Sequence, residues 1–334
     1  MGKITIAHGS GGKLTHELIE NTFFQYFGND VLNRADDAAV FSANRGDIAF
    51  TTDSFVVKPL FFPGGDIGKL SVCGTVNDLV VCGAEPRYIS CGFIIEEGFD
   101  KSDLVKVIMS MAYWANEAGV KVVTGDTKVV GRGAADRLFI NTSGIGLFKS
   151  DLRLGVGKIN EGDKVIITGT IGEHGIAVLS KREGLEFESR IMSDCAPLNK
   201  MLMNVLDETG GIKFMRDPTR GGLATTLNEI VICGNFGILL EEEKIPISDS
   251  VRAACALLGL DPLYIANEGK ALLIADASCE KKVLELLRKH AYGRNAETIG
   301  EITKDNVNMV RLKTRYGVTR MVDMLSGEPM PRIC

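Results

Sequence analysis

Apolar residues recur along the 334-residue chain in two alternating rhythms. One has the 3.6-residue period of a helix packed on one face; the other has the two-residue period, or the short unbroken apolar run, of a strand. Positions Leu14, Leu18, Ile19, Phe23 and Phe27 predict a helix over 14–27, behind a small-residue, Gly-rich start. Strands follow at 48–55, 88–95, 120–124 and 138–147, with helices at 67–81 and 101–118. Past the turn residues Gly155, Gly157 and Gly162 a second series begins. It has strands at 164–168, 237–241, 271–275 and 307–312, and helices at 175–181, 197–209, 222–233 and 281–290. Strand–helix alternation in both series predicts an α/β fold of two domains, 1–155 and 156–312. The remainder, 313–334, is of another kind. Pro329 and Pro331 remove backbone donors and push their neighbours to extended geometry, so the chain ends in an arm, not a helix. Its last nine residues, fully extended, reach about 25–30 Å.

Composition narrows what the two domains can be. Hydrophobic residues make up 45% and charged residues 24%, as in a globular protein with a real core. A net charge of −5 gives no reason to expect nucleic acid as a partner. No apolar run approaches the roughly 18 residues of a membrane span. Residues 1–6 lack a signal-peptide core, which predicts a cytoplasmic protein. Of eight cysteines, seven mostly have apolar neighbours and read as small buried hydrophobes. With no C-x-x-C pair and only four histidines, a zinc site is not expected. The eighth, Cys334, ends the Pro-stiffened arm.

A set of carboxylates stands out against this background. Asp36 and Asp37 (Ala-Asp-Asp-Ala-Ala-Val), Asp53 (Thr-Thr-Asp-Ser), Asp78 (Val-Asn-Asp-Leu) and Asp126 (Thr-Gly-Asp-Thr-Lys) all sit beside apolar sequence. Each alone reads more readily as a turn or cap. Together, as hard oxygen donors to Mg²⁺ that holds nucleotide phosphates, they would escape the cost of unpaired carboxylates in apolar surroundings. The loop His8-Gly-Ser-Gly-Gly-Lys13, opening a helix, suits an anion or reads equally as a flexible N-terminal segment. It is not a Walker A loop, because Ala7 stands where the first glycine belongs and Leu14 follows the lysine. Asp217-Pro-Thr-Arg-Gly-Gly222 offers Arg220 to a phosphate or other oxyanion at a second helix start, or is a capped helix with surface charge. Lys128 and Glu268 are candidate proton-handling groups, or solvated side chains. Cys334 is a thiol on an arm that can visit another protein and return. From Arg311 onward five basic residues face two acidic ones, which would draw the arm toward bound nucleotide.

These motifs, with Gly83-Ala-Glu-Pro86 and the ending Pro331-Arg-Ile-Cys334, resemble those of the HypE family, the carbamoyl dehydratases of nickel–iron hydrogenase maturation. The likeness covers essentially the whole chain. Its internal motifs are shared with aminoimidazole ribonucleotide synthetase, selenophosphate synthetase and thiamine-monophosphate kinase, whereas the Pro-Arg-Ile-Cys ending is specific to HypE. The resemblance implies an aminoimidazole ribonucleotide synthetase-like fold: an ATP-binding N-terminal domain that forms a homodimer through a shared β-barrel, a C-terminal α/β domain that closes the cleft, and a mobile tail. It implies Mg²⁺ ligation by Asp36, Asp37, Thr52, Asp53, Asp78 and Asp126. Nucleotide contacts would come from Gly11, Gly12, Lys13, Asn77 and Gly125, and Lys128 and Glu268 would flank the thiol of Cys334.

The same resemblance implies a reaction. A HypF-type carbamoyltransferase loads Cys334, the carbamoyl group is dehydrated to a thiocyanate with consumption of ATP, and cyanide passes to iron on a HypC–HypD-type scaffold. Two readings compete with it: a sister enzyme acting on a free small molecule, and a nucleotide-sensing or metal-carrying module that uses Cys334. Selenophosphate synthesis is disfavoured, because Gly11-Gly12 leaves no cysteine in the Gly-rich loop.

Overall fold

The structure, a computed structural model, describes residues 13–18, 20–21, 38–43, 46–149, 153–185, 191–325, 330 and 332–334. A short helix α1 (Lys13–Leu18) comes first. The first sheet has the order β1-β2-β7-β5-β6, from β1 (Ala39–Ala43), β2 (Gly46–Phe55), β5 (Glu85–Glu96), β6 (Lys121–Val130) and β7 (Leu138–Leu147). Between β2 and β5 lies a small hairpin, β3 (Phe61–Phe62) and β4 (Gly65–Asp66), which leads into helix α2 (Ile67–Val81). Asp66 caps α2, its carboxylate accepting from the Gly68 and Lys69 N–H groups at 2.8 and 3.1 Å. Fourteen residues of α2 are buried, and Asp78 is the exception. A helix apolar on every side has to be enclosed on every side. The first sheet, α3 (Lys101–Ala118) and α5 (Asn199–Glu208) enclose it.

The second sheet has the order β14-β13-β10-β12-β8-β11-β9. Its strands are β8 (Lys164–Ile167), β9 (Ile212–Arg216), β10 (Gly237–Glu241), β11 (Leu272–Ala275), β12 (Glu297–Thr303), β13 (Val310–Lys313) and β14 (Thr319–Met321). Helix α6 (Gly222–Cys233) covers one face, packing Leu223, Leu227 and Ile230 on Val165 and Ile238. Helices α5 and α8 (Glu280–Lys289) cover the other, with Leu202 and Leu287 on Ile166 and Leu273. Helices α4 (Glu173–Glu183) and α7 (Asp249–Leu258) turn back onto the first half, so Ile176 and Val251 join a core with Phe55, Leu70 and Val76. Met330 and Ile333 belong to that shared core as well.

The sequence reading and the structure agree on two α/β halves, with one refinement. Among the described strands only β5–β6 and β10–β13 pair parallel. Helix α7 and strands β1, β3, β4, β9, β12 and β14 are additions, and β14 pairs with β13 inside the stretch expected to be an arm. In β12, Gly300 approaches β10 so closely that a Cβ would stand 2.3 Å from the Leu239 carbonyl oxygen. A glycine in mid-strand breaks the alternation by which the strand would be recognised. Of the helix predicted over 14–27, positions 19 and 22–27 lie outside the described residues. Among the described residues no helix is long and apolar enough to cross a membrane.

Candidate functional site

Between the two halves lies a cavity of about 60 Å³ that brings together Asp53, Asp78, Asp217, Arg220, Glu268 and Cys334. Strand β2 supplies the first by alternation: Thr51 and Phe55 are buried, Asp53 is half-buried, and Thr52 and Ser54 face outward. Asp78 is the one residue of α2 not sealed in the core, and the Thr51 hydroxyl donates to its Oδ2 at 2.7 Å. Asp217 and Arg220 come from the loop between β9 and α6. That loop ends at Gly222, with φ +61°, where a Cβ would meet the Leu263 and Ile265 carbonyl oxygens at 2.6 Å. Only glycine lets the helix start press so closely there.

Glu268 is pinned through its backbone. Its N–H donates to Asp194 Oδ1 at 3.2 Å, and its carbonyl accepts from Asn77 Nδ2 at 3.3 Å and from the Ala196 N–H at 3.4 Å. The preceding Asn267 accepts from the Gly172 N–H at 2.8 Å and donates to the Pro218 carbonyl at 2.9 Å. The Glu268 carboxyl itself, in a residue only 4% exposed, has no hydrogen bond or ion pair among the described residues. Burial pushes it well above the usual carboxylate range, and Cys195, Asp217, Asp194 and Asp53 push it further. A rigid backbone thus presents an unpaired acid to a small cavity.

Cys334 enters that cavity from the end of the chain. The Val56 N–H donates to the Cys334 carbonyl at 3.1 Å, and the Lys58 N–H to the Arg332 carbonyl at 3.2 Å. Residues 332–334 therefore lie antiparallel along 56–58, like a short added strand.

Other candidates from the sequence lie elsewhere. The register carries Ser54, Asn141, Gly92 and Asp126 straight across the first sheet. Asn141 Nδ2 donates to Ser54 Oγ at 3.0 Å, so Asp126 shares the outer face, opposite Asp53. It is exposed there and pairs with Lys128 at 2.9 Å, which holds the Asp126 carboxyl below its usual range. The Thr52 hydroxyl is on that face too, accepting from Ser143 Oγ at 2.9 Å. Gly125 presses on β5, where a Cβ would come within 2.3 Å of the Cys91 carbonyl oxygen. Lys13 opens α1 and pairs with Glu17 at 3.8 Å. Gly11, Gly12, Asp36 and Asp37 lie outside the described residues.

Asn77, expected from the resemblance to contact nucleotide, also lies in the seam between the halves. It is buried, and its amide donates to the Ala196 carbonyl at 3.1 Å and accepts from the Leu198 N–H at 2.9 Å, besides holding Glu268. It stitches α2 to the second half. Asn77→Ala is expected to lower unfolding stability by about 2–4 kcal/mol, because buried partners are left unmatched. A fall in the urea midpoint at unchanged slope is the measurement.

Sequence reasoning misses Thr51 and Asp194. The first was findable as the residue two before Asp53, hence on the same strand face. Asp194 carries no comparable signal. Among the described residues no three His, Cys, Asp or Glu side chains are arranged to hold a metal ion by themselves. Asp53 and Asp78 nevertheless put two hard oxygen donors on one cavity. Mg²⁺, which often takes one or two carboxylates and fills its other positions with water and phosphate oxygens, fits such a pair.

A larger cavity of about 540 Å³ borders the same 193–196 stretch, lined by Lys69, Trp114, Glu173, Asp194 and Lys270. Lys69 Nζ stands 4.1 Å from the ring centre of Trp114, the only tryptophan, and Lys270 pairs with Asp194 at 3.1 Å.

Known proteins share this architecture. The AIR synthase related protein N-terminal domain matches residues 35–148, and the C-terminal domain of the same family matches 160–313. The carbamoyl dehydratase HypE of Bradyrhizobium diazoefficiens is 50% identical over 334 residues, which are 100% of this chain and 96% of that relative. A chain in a solved HypE–HypF complex is 49% identical with a TM-score of 0.88, covering 92% of this chain and 99% of its own. A solved HypE in complex with ATP is 45% identical with a TM-score of 0.84, covering 99% and 100%.

Proposed function

We infer the function from one premise: this chain belongs to the HypE family of carbamoyl dehydratases, within the AIR synthase related proteins. It is a hydrogenase-maturation carbamoyl dehydratase that uses ATP, and its own Cys334 carries the group to be dehydrated. One observation carries the finer part of this reading. Glu268, a buried acid without a partner among the described residues, shares a small cavity with Cys334, Asp53 and Asp78.

The chemistry follows from what the cargo lacks. A carbamoyl group on Cys334 Sγ, S–C(=O)–NH₂, holds its oxygen as a poor leaving group. Bonding of that oxygen to the γ-phosphorus of ATP, as the bond to ADP breaks, makes it part of a phosphate. The nitrogen gives up one proton in forming the phosphorylated imidate. It gives up the second as the C–O bond breaks, leaving S–C≡N and phosphate; of the two protons Glu268 takes one and the departing phosphate takes the other. Glu268 is the base: a carboxylate that binds its proton strongly accepts one well from nitrogen. Arg220 offers its guanidinium to phosphate oxygens. Mg²⁺, when bound, neutralises phosphate charge, and Asp53 and Asp78 would hold it together with Asp36 and Asp37. The segment containing Gly11, Gly12 and Lys13 is assigned to the nucleotide. Because the cargo is tethered, no separate substrate pocket is required.

The same reading divides the chain at 1–155, 156–312 and 313–334 and makes it a homodimer. The outer face of the first sheet exposes Phe50, Tyr88, Ile94 and Ile145, and edge strand β6 exposes Val122, Val123 and Val129. A second copy would cover apolar surface and an open strand edge together, and would give Asp126 and Lys128 new neighbours. Loading falls to a HypF-type transferase, in keeping with the solved complex of HypE with HypF, and delivery to a HypC–HypD-type scaffold.

The test is the mass of the C-terminal peptide after incubation with ATP, carbamoyl phosphate and the transferase. A carbamoyl adduct should appear, then lose one water only when ATP is present. A carbamoyl group that persists unchanged with ATP sinks the reading.

A further inference from the structure

Packing alone does not hold the last residues, and their polar contacts single out one side chain. Arg332 pairs with Asp136 Oδ2 at 2.5 Å, and its Nε donates to the Val56 carbonyl at 2.9 Å. Its own carbonyl accepts from Arg182 Nη2 at 2.6 Å, in addition to the Lys58 N–H. The next carbonyl, that of Ile333, meets His174 Nε2 at 3.0 Å. His174 is wholly buried, and its Nδ1 lies 2.8 Å from Ser193 Oγ. That oxygen already accepts from the Cys195 N–H at 3.1 Å, which leaves its O–H to donate to Nδ1. The imidazole proton is thereby directed to Nε2, toward Ile333. Arg332 sits at φ +56°, where a non-glycine residue stays only if its surroundings hold it.

We propose that Asp136, Arg182 and His174 are positioning residues that read the Arg-Ile-Cys end and set Cys334 in register with Glu268, in a latch built to open cheaply. The cheap opening comes from Asp136. Lys58 Nζ also pairs with Asp136 Oδ2, at 2.8 Å, so the carboxylate keeps a cation when Arg332 leaves. Arg182 Nε keeps the Lys58 carbonyl at 2.8 Å. Departure of the tail therefore strands no charge, although it gives up specific contacts. A carrier that goes out to a transferase and returns needs both properties. The need for that traffic rests on reading Cys334 as the carrier; the latch contacts do not.

The experiment uses the intact chain without ATP. Alkylation of Cys334 by iodoacetamide is timed by peptide mass spectrometry, with exposed Cys233 as internal standard. A docked thiol reacts in proportion to the open population. Cys334 should react more slowly than Cys233 in the parent chain. Asp136→Asn should raise the Cys334:Cys233 ratio about tenfold, the equivalent of one charge-assisted hydrogen bond. Arg332→Lys, which keeps the charge but loses the planar fork, should do the same. Asp136 is half-buried and belongs to none of the apolar cores, so its variant should keep the fold and Cys233 its rate. Unchanged ratios in both variants overturn the latch, even where the mass assay above still records dehydration. Raised ratios beside a parent chain that never dehydrates its carbamoyl adduct would uphold the latch and remove the carrier reading.

Discussion

Cys334→Ala is expected to abolish thiocyanate formation altogether while leaving ATP binding intact. On the proposed function the loss should be complete, because Sγ would be the atom on which the cargo is built and no neighbouring group could take over a covalent attachment. Tethering would otherwise supply the equivalent of about 10⁵–10⁸ M of substrate, an advantage that a free carbamoyl compound does not recover. The variant should remain folded. Residues 330 and 333, not the thiol, are the parts of the tail buried in the shared core, and a half-buried thiol truncated to a methyl group sits in the range of ordinary small destabilisations. Calorimetry would report ATP binding, and cyanide release with the transferase present would report chemistry. Normal cyanide output from this variant would end the case for a carrier thiol.

Glu268→Gln should separate loading from dehydration and move activity and stability in opposite directions. Glutamine keeps the volume but accepts no proton, so the carbamoyl adduct should accumulate while water loss slows by about 10²- to 10⁴-fold. The stability effect follows from linkage. Burial first, and then nearby acidic groups, raise the folded-state pKa of Glu268 above that of the unfolded chain. Between those two values the folded state binds more protons, so stability is greatest below the ordinary carboxylate range and is lost as pH rises through the raised pKa. At neutral pH a carboxyl whose folded-state pKa is raised costs stability whichever form it takes there, and glutamine removes that cost. The variant should therefore melt higher than the parent at pH 7–8, by on the order of 2–4 °C per kcal/mol relieved, and converge with it near pH 4. For the parent enzyme, dehydration should fail as pH falls through that same raised value. A tail peptide that loses water at the parent rate removes Glu268 as base; an equal melting advantage at both pH values removes burial of its charge as the cause.

Asp53 and Asp78 stand out in the sequence as acids beside apolar residues, and Cys334 as a thiol on a proline-stiffened end; Glu268 reads there only as a candidate proton-handling group or a solvated side chain, and its burial is a property of the fold. What the residue string does not carry is which way a side chain faces after folding. Thr51 and Thr52 are neighbours of the same type, but strand alternation sends one to Asp78 and the other to Ser143. Asp126 reads like Asp53, and the order β2-β7-β5-β6 sets it three strands along and on the other face. Asn77 precedes Asp78 and is expected at the nucleotide beside it. One step along a helix turns a side chain by about 100°, and that step puts its amide into the seam between the halves. Helices 67–81, 101–118 and 222–233 could be bounded from their periodicity or apolar length. Strand β12 could not, since a glycine and two glutamates hide its apolar face.

One indole in the whole molecule has been left in an informative place. Trp114 belongs to the first half, while the space it looks into is walled on the far side by Lys270, Tyr292 and Arg294 of the second. Its emission depends on the ammonium of Lys69 and on water in that space, and both change if the halves close on a nucleotide or swing apart. The protein thus carries its own optical gauge of cleft opening, with no second fluorophore of its kind to blur the signal and no dye to attach.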